Sequence, residues 1–155
     1  MIPEYQFLPE NPNRDDLASA VERDATVAKA RSPRALIVED EIFVAWHLES
    51  LVLELNLEVC GLVPDGEGAI EQADNLEPDL VLMDIRLSGQ IDGVEAARLI
   101  REKQNVPVIF ITAYSDAATV ARINRDVPGS QVLGKPVSAE RLRAAIDGAL
   151  PGRRP

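Results

Sequence analysis

From Arg34 onward, short apolar runs alternate with longer segments in which apolar residues recur at helical spacing. The runs are residues 35–38, 58–63, 80–83, 108–112 and 131–133, and the helical segments are 42–55, 67–75, 93–103, 116–125 and 140–150. Five strand-then-helix repeats predict a parallel α/β sheet with right-handed crossovers. The stretch Asp79-Leu80-Val81-Leu82-Met83-Asp84 is the centre of that plan. Its four consecutive apolar residues suit a strand covered on both faces. It delivers Asp84 to its carboxyl end, where an open α/β sheet binds ligands. Ser138 suits the cap of the last helix, and Pro151 with Gly152 stops it.

The segment 42–55 carries more apolar surface than one neighbour can cover. Val44, Leu48, Leu51, Val52 and Leu55 form an inward face, while Phe43, Trp46 and Leu53 recur on a second one. The second face is a candidate interface for the N-terminal extension or another protein chain, against the plainer reading of scattered surface apolars. His47 lies mid-helix, away from any strand end, and reads as structural.

Residues 1–33 differ from the rest. Pro3, Pro9 and Pro12 break the first dozen, and Leu17, Val21 and Ala25 recur every fourth residue in a polar segment, so a tail and a short docked helix both stay open. The expected organisation is an extension over 1–33, one domain over 34–150 and a tail over 151–155. A 46% apolar content in 155 residues suffices for a core, and the net charge of −10 argues against nucleic acid or an anionic membrane as partner. No apolar run reaches the roughly 20 residues of a membrane helix, and Met1-Ile2-Pro3-Glu4 is not a signal pattern, so the cytoplasm is expected. Cys60, the single cysteine, sits in an apolar run and reads as a buried structural thiol.

Residues at or just past the strand ends form a set with a chemistry: Glu39-Asp40, Asp84, Thr112 and Lys135-Pro136. Three converging carboxylates repel one another, which a divalent cation with hard oxygen ligands relieves, and Mg²⁺ fits best. Capping of the first helix is the plainer role for Glu39-Asp40, and the two can coexist. A carboxylate such as Asp84 can also be a nucleophile toward phosphorus, giving an aspartyl-phosphate. Lys135 would then supply fixed positive charge and Thr112 a hydroxyl hydrogen bond.

Those residues, in that order, resemble the receiver domain of two-component response regulators over about residues 34–150. The resemblance implies a chemotaxis-receiver-like, flavodoxin-like (βα)5 doubly wound fold with strand order 2-1-3-4-5. It implies Asp84 as phosphoacceptor, with Glu39, Asp40, Asp84 and the backbone carbonyl of Arg86 around Mg²⁺. Thr112 and Lys135 would engage the phosphoryl group, the Lys135-Pro136 bond would be cis, and Ile91-Asp92-Gly93 also matches. Two positions depart from the pattern. Val132 stands where many receivers carry an aromatic, leaving Tyr114 with Thr112 as the switch candidates, as in a subgroup of stand-alone receivers. The loop after Asp84 lacks a proline and is one residue longer than the common form; Arg86 and Tyr114 would flank the path of attacking water.

The resulting expectation is a stand-alone receiver phosphorylated by a sensor histidine kinase or a histidine phosphotransfer protein. With the chain ending at the last receiver helix, it would act through protein contacts as relay intermediate, phosphate sink or regulator, a homodimer staying open. It would catalyse only its own phosphorylation and dephosphorylation, so it is not expected to be an enzyme. A phosphorylation-independent scaffold is the alternative. A haloacid-dehalogenase-type phosphatase would need a second Asp where Arg86 stands, and a flavodoxin-like nucleotide binder would need Gly, Ser or Thr where Glu39-Asp40-Glu41 stands.

Overall fold

Each apolar run forms a strand: β1 Arg34–Val38, β2 Glu58–Val63, β3 Leu80–Met83, β4 Val108–Thr112 and β5 Gln131–Gly134. The helices between and after them are α1 Ile42–Glu54, α2 Gly66–Leu76, α3 Gly93–Lys103, α4 Ala117–Asp126 and α5 Ala139–Ala149. This computed structural model describes residues 31–113 and 115–152. The short helix expected around Leu17 to Ala25 and the side chain of Tyr114 lie outside the described residues.

The strands form one parallel sheet in the order β2-β1-β3-β4-β5, as the resemblance implied. Strand side chains alternate between faces, so each central strand feeds two cores. Leu36, Val38, Val81, Met83 and Phe110 pack with Ala73, Ile100 and Ile123 of α2, α3 and α4. Ala35, Ile37, Leu82, Ile109 and Ile111 pack on the other face with Leu48 of α1 and Leu142 of α5. Placing β1, β3 and β4 inside the sheet explains why they read as unbroken apolar runs.

Helix starts carry their own signals. Asp65, Asp92, Asp116 and Ser138 accept hydrogen bonds from the backbone N–H groups of Gly68, Glu95, Thr119 and Arg141, capping α2 to α5. The segment expected to begin at Asp116 begins one residue later because that aspartate is the cap. Glu41 occupies the same position before α1 without a side-chain cap bond.

On α1, Leu48, Leu51, Val52 and Leu55 are buried and Val44 is half-buried, while Phe43, Trp46 and Leu53 stay more than half exposed at 77%, 52% and 53%. The Phe43 and Trp46 rings meet edge to face at 5.7 Å. Cys60 corrects an expectation: it is half-buried. Ala35 pairs with Val59 and Leu36 with Gly61, so Cys60 is the extra residue of a bulge in edge strand β2, its thiol donating to the Ala35 carbonyl at 3.4 Å. Burial pushes its thiol pKa up. No helix among the described residues is long and apolar enough to cross a membrane.

Candidate functional site at the strand ends

The backbone fastens the strand ends before any side chain acts. Asp84 donates its N–H to the Val38 carbonyl at 3.0 Å, Glu39 to Val63 at 3.0 Å, and Lys135 to Thr112 at 2.9 Å. Neighbouring strands therefore present Glu39, Asp84, Thr112 and Lys135 at one edge. Glu39, Asp84 and Thr112 are all buried. The Lys135-Pro136 bond is cis.

Lys135 ties the set together. Its Nζ lies 3.0 Å from Asp84 Oδ2 and 2.7 Å from Glu39 Oε2. Asp84 Oδ1 accepts the Ile85 N–H at 2.7 Å. Burial pushes the Glu39 carboxyl pKa up, and the hydrogen bonds from Lys135 and the Glu41 N–H recover only part of that shift. At Lys135 burial disfavours the ammonium, but hydrogen bonds to Glu39 and Asp84 outweigh it and hold the pKa above its ordinary value. The ammonium faces two carboxylates, whereas Glu39 shares its one cation with Asp84.

Ligand atoms of Glu39, Asp40 and Glu41 lie within 4.8 Å of one another. Glu39 Oε2 is buried with the Lys135 ammonium 2.7 Å away, and a carboxylate oxygen so paired keeps a lone pair to offer. An all-carboxylate donor set with a buried oxygen still open to coordination fits a hard divalent cation. The expected ligand set differs in part from this cluster. Glu39 and Asp40 belong to it, Asp84 joins Glu39 through Lys135, and Arg86 is exposed on the loop beyond. Glu41 was not expected here, and its signal was its place as a third consecutive acid.

The start of α3 presses on Asp84. Gly93 donates its N–H to the Ile85 carbonyl at 2.7 Å. A Cβ on Gly93 would collide with the Asp84 carbonyl oxygen and lie 2.8 Å from the Asp84 carbonyl carbon. Asp92, the cap of α3, also takes a two-pronged ion pair from Arg122 of α4, at 2.5 and 2.9 Å. Although burial pushes the Asp92 pKa up, the Arg122 bonds and the Glu95 N–H bring it below its ordinary value. Lys135 also lines an open apolar cavity of about 350 Å³ between α1 and the turn before α5, with Phe43, His47 and Pro136 on its walls. His47 is exposed there and shares the cavity wall with Lys135.

Comparison with known proteins is consistent with this geometry. Residues 35–147 match the family of the response regulator receiver domain. The chain is 37% identical over 124 residues to the transcriptional regulatory protein PdtaR of Mycobacterium tuberculosis, covering 80% of this chain and 58% of that protein. It is 34% identical over 122 residues to the transcriptional regulatory protein YdfI of Bacillus subtilis, covering 77% and 55%. This chain thus spans a little over half the length of these curated relatives. Among solved structures, the signal receiver domain of a modulated diguanylate cyclase from Desulfovibrio desulfuricans superposes with a TM-score of 0.71 at 40% identity, covering 76% of this chain and 93% of that one. The receiver domain of PhyR from Erythrobacter litoralis gives 0.69 at 33% identity, covering 78% and 92%.

Proposed function

This chain belongs to the response regulator receiver family, and from that premise we propose that Asp84 accepts a phosphoryl group from the phosphohistidine of a sensor histidine kinase or a histidine phosphotransfer protein. The observation that carries the reading is Lys135 Nζ seated between Asp84 and Glu39 at the strand ends. The receiver is proposed to span residues 34–150. Its phosphorylated state is passed on through protein contacts, as relay intermediate, phosphate sink or phosphorylation-dependent regulator. The exposed face of Phe43, Trp46 and Leu53 is a candidate contact surface for such a partner or a second copy. The reaction is assigned to the cytoplasm, where the ATP that charges a kinase is made.

An Asp84 carboxylate oxygen bonds to phosphorus as the P–N bond breaks, and the electron pair leaves with the imidazole. Both acceptor oxygens begin with partners, Ile85 N–H on Oδ1 and Lys135 on Oδ2. The long Lys135 side chain can follow the charge onto a phosphoryl oxygen, while the Ile85 N–H keeps the carboxyl plane oriented. Thr112 is proposed to donate its hydroxyl to the phosphoryl group. Glu39, Asp40, Asp84 and the Arg86 carbonyl, with Glu41 beside them, would hold Mg²⁺, which when bound offsets charge on the phosphoryl oxygens. Tyr114 is proposed with Thr112 as the switch. The chemistry is self-directed rather than turnover on a separate substrate.

The test is intact-mass analysis after incubation with a small acyl-phosphate donor and Mg²⁺. The expected result is one added phosphoryl mass, abolished by Asp84→Asn and by chelation of the metal. No adduct where a known receiver is labelled in parallel, or an adduct that survives Asp84→Asn, would overturn the assignment, the former in favour of a scaffold role.

A further inference from the structure

The loop between Asp84 and α3 is tied to the start of α2. Gln90 donates its backbone N–H to Glu67 Oε1 at 2.9 Å, and Ser88 forms a parallel bridge with Asp65. Gly89 between them takes a φ of +99°, and a Cβ there would meet Glu67 Oε2 at 2.6 Å. The clasp therefore needs glycine at that point. Thus held, Ser88 donates its hydroxyl to Asp40 Oδ2 at 3.1 Å. Asp40 is exposed, and an exposed carboxylate otherwise samples several rotamers. A bond to one oxygen fixes the carboxylate plane and leaves the other oxygen to a cation shared with Glu39 and Glu41. A hydroxyl suits this task because it donates without bringing a positive charge that would compete with the cation.

We infer that Ser88 is a positioning residue for the cation site: the Glu67 clasp holds Ser88 against Asp40, and Ser88 orients Asp40 as a ligand. This rests on the proposed cation-dependent receiver chemistry. The test is Mn²⁺ binding by the full chain, read from loss of the free-ion magnetic resonance signal; Mn²⁺ shares the preference of Mg²⁺ for oxygen ligands. Ser88→Ala should weaken binding roughly 10-fold, the lower end for loss of a partner behind a metal ligand. Ser88→Thr, which keeps the hydroxyl, should stay within about 2-fold of the parent, and Glu67→Ala should weaken binding in the direction of Ser88→Ala. Circular dichroism of all three should match the parent. Undiminished binding by Ser88→Ala, or failure of Ser88→Thr to retain it, overturns the positioning role and leaves the receiver reading standing. A parent chain that binds no Mn²⁺ overturns the cation site itself.

Discussion

Replacing Gly93 by alanine adds one methyl group at the point where α3 meets Asp84. The new Cβ would lie 2.8 Å from the Asp84 carbonyl carbon and 3.0 Å from Ile85 Cα, with the Asp84 carbonyl oxygen nearer still. Carbon pairs rest at about 3.5–4.0 Å, so the two backbones must part by roughly 1 Å. That takes the 2.7 Å bond from the Gly93 N–H to the Ile85 carbonyl beyond hydrogen-bonding range. Overpacking costs about 1–3 kcal/mol and the lost bond about 1 kcal/mol, against a gain of about 1 kcal/mol from alanine in a helix. A net loss of about 2 kcal/mol, or roughly 4–8 °C in Tm, is expected. Displacing Asp84 by that distance should also slow its labelling by an acyl phosphate about 100-fold. Gly148→Ala is the control: it sits in α5, its nearest new contact is an ordinary 3.4 Å to Gln131 Nε2, and it should gain about 0.5–1 kcal/mol. Urea unfolding gives the first quantity and time-resolved intact mass the second. A Gly93→Ala protein as stable as the parent and labelled at the parent's rate would refute the close approach.

Two further substitutions test the charges. Lys135→Met should reduce labelling at least about 100-fold. In chelator, it should lose more stability at pH 8 than at pH 5. Without the ammonium the already raised Glu39 pKa climbs further, so the native state binds more protons than the unfolded one above the usual Glu range, and stability falls as pH rises through that window. Equal losses at both pH values in urea titrations would contradict this. Arg122→Gln should move the acid-unfolding midpoint to higher pH. The depressed Asp92 pKa gives stability that is complete above the ordinary Asp value near about 4 and lost as pH falls through the folded one. An unchanged midpoint by circular dichroism would show that the ion pair contributes nothing.

How much of this was legible in the sequence depends on how local the cause is. Strands β3 and β4 are announced by unbroken apolar runs because both of their faces are covered, and the strand ends follow directly from them. Asp84 and Thr112 could be picked out for that reason, and Lys135 from the shorter apolar run of edge strand β5. The α1 faces were also legible: the helical period separated Leu48 and Val52 from Phe43 and Trp46. What escaped is what depends on distant pairing. Arg122 meets Asp92 across 30 residues and Ser88 meets Asp40 across 48, and no local spacing encodes either. The register slip at Cys60 escaped for the same reason, since an apolar run does not say where its pairing skips.

That slip bears on how the molecule keeps company with its own kind. An outermost strand with regular spacing offers a ladder onto which another chain can add, and a concentrated protein with such a border is prone to assemble into fibres. On β2 the extra residue at Cys60 breaks the spacing after two pairings, and Glu58 places an exposed charge at the strand's start. Removing Cys60 to regularise the strand would tidy the sheet while opening its flank to unwanted growth.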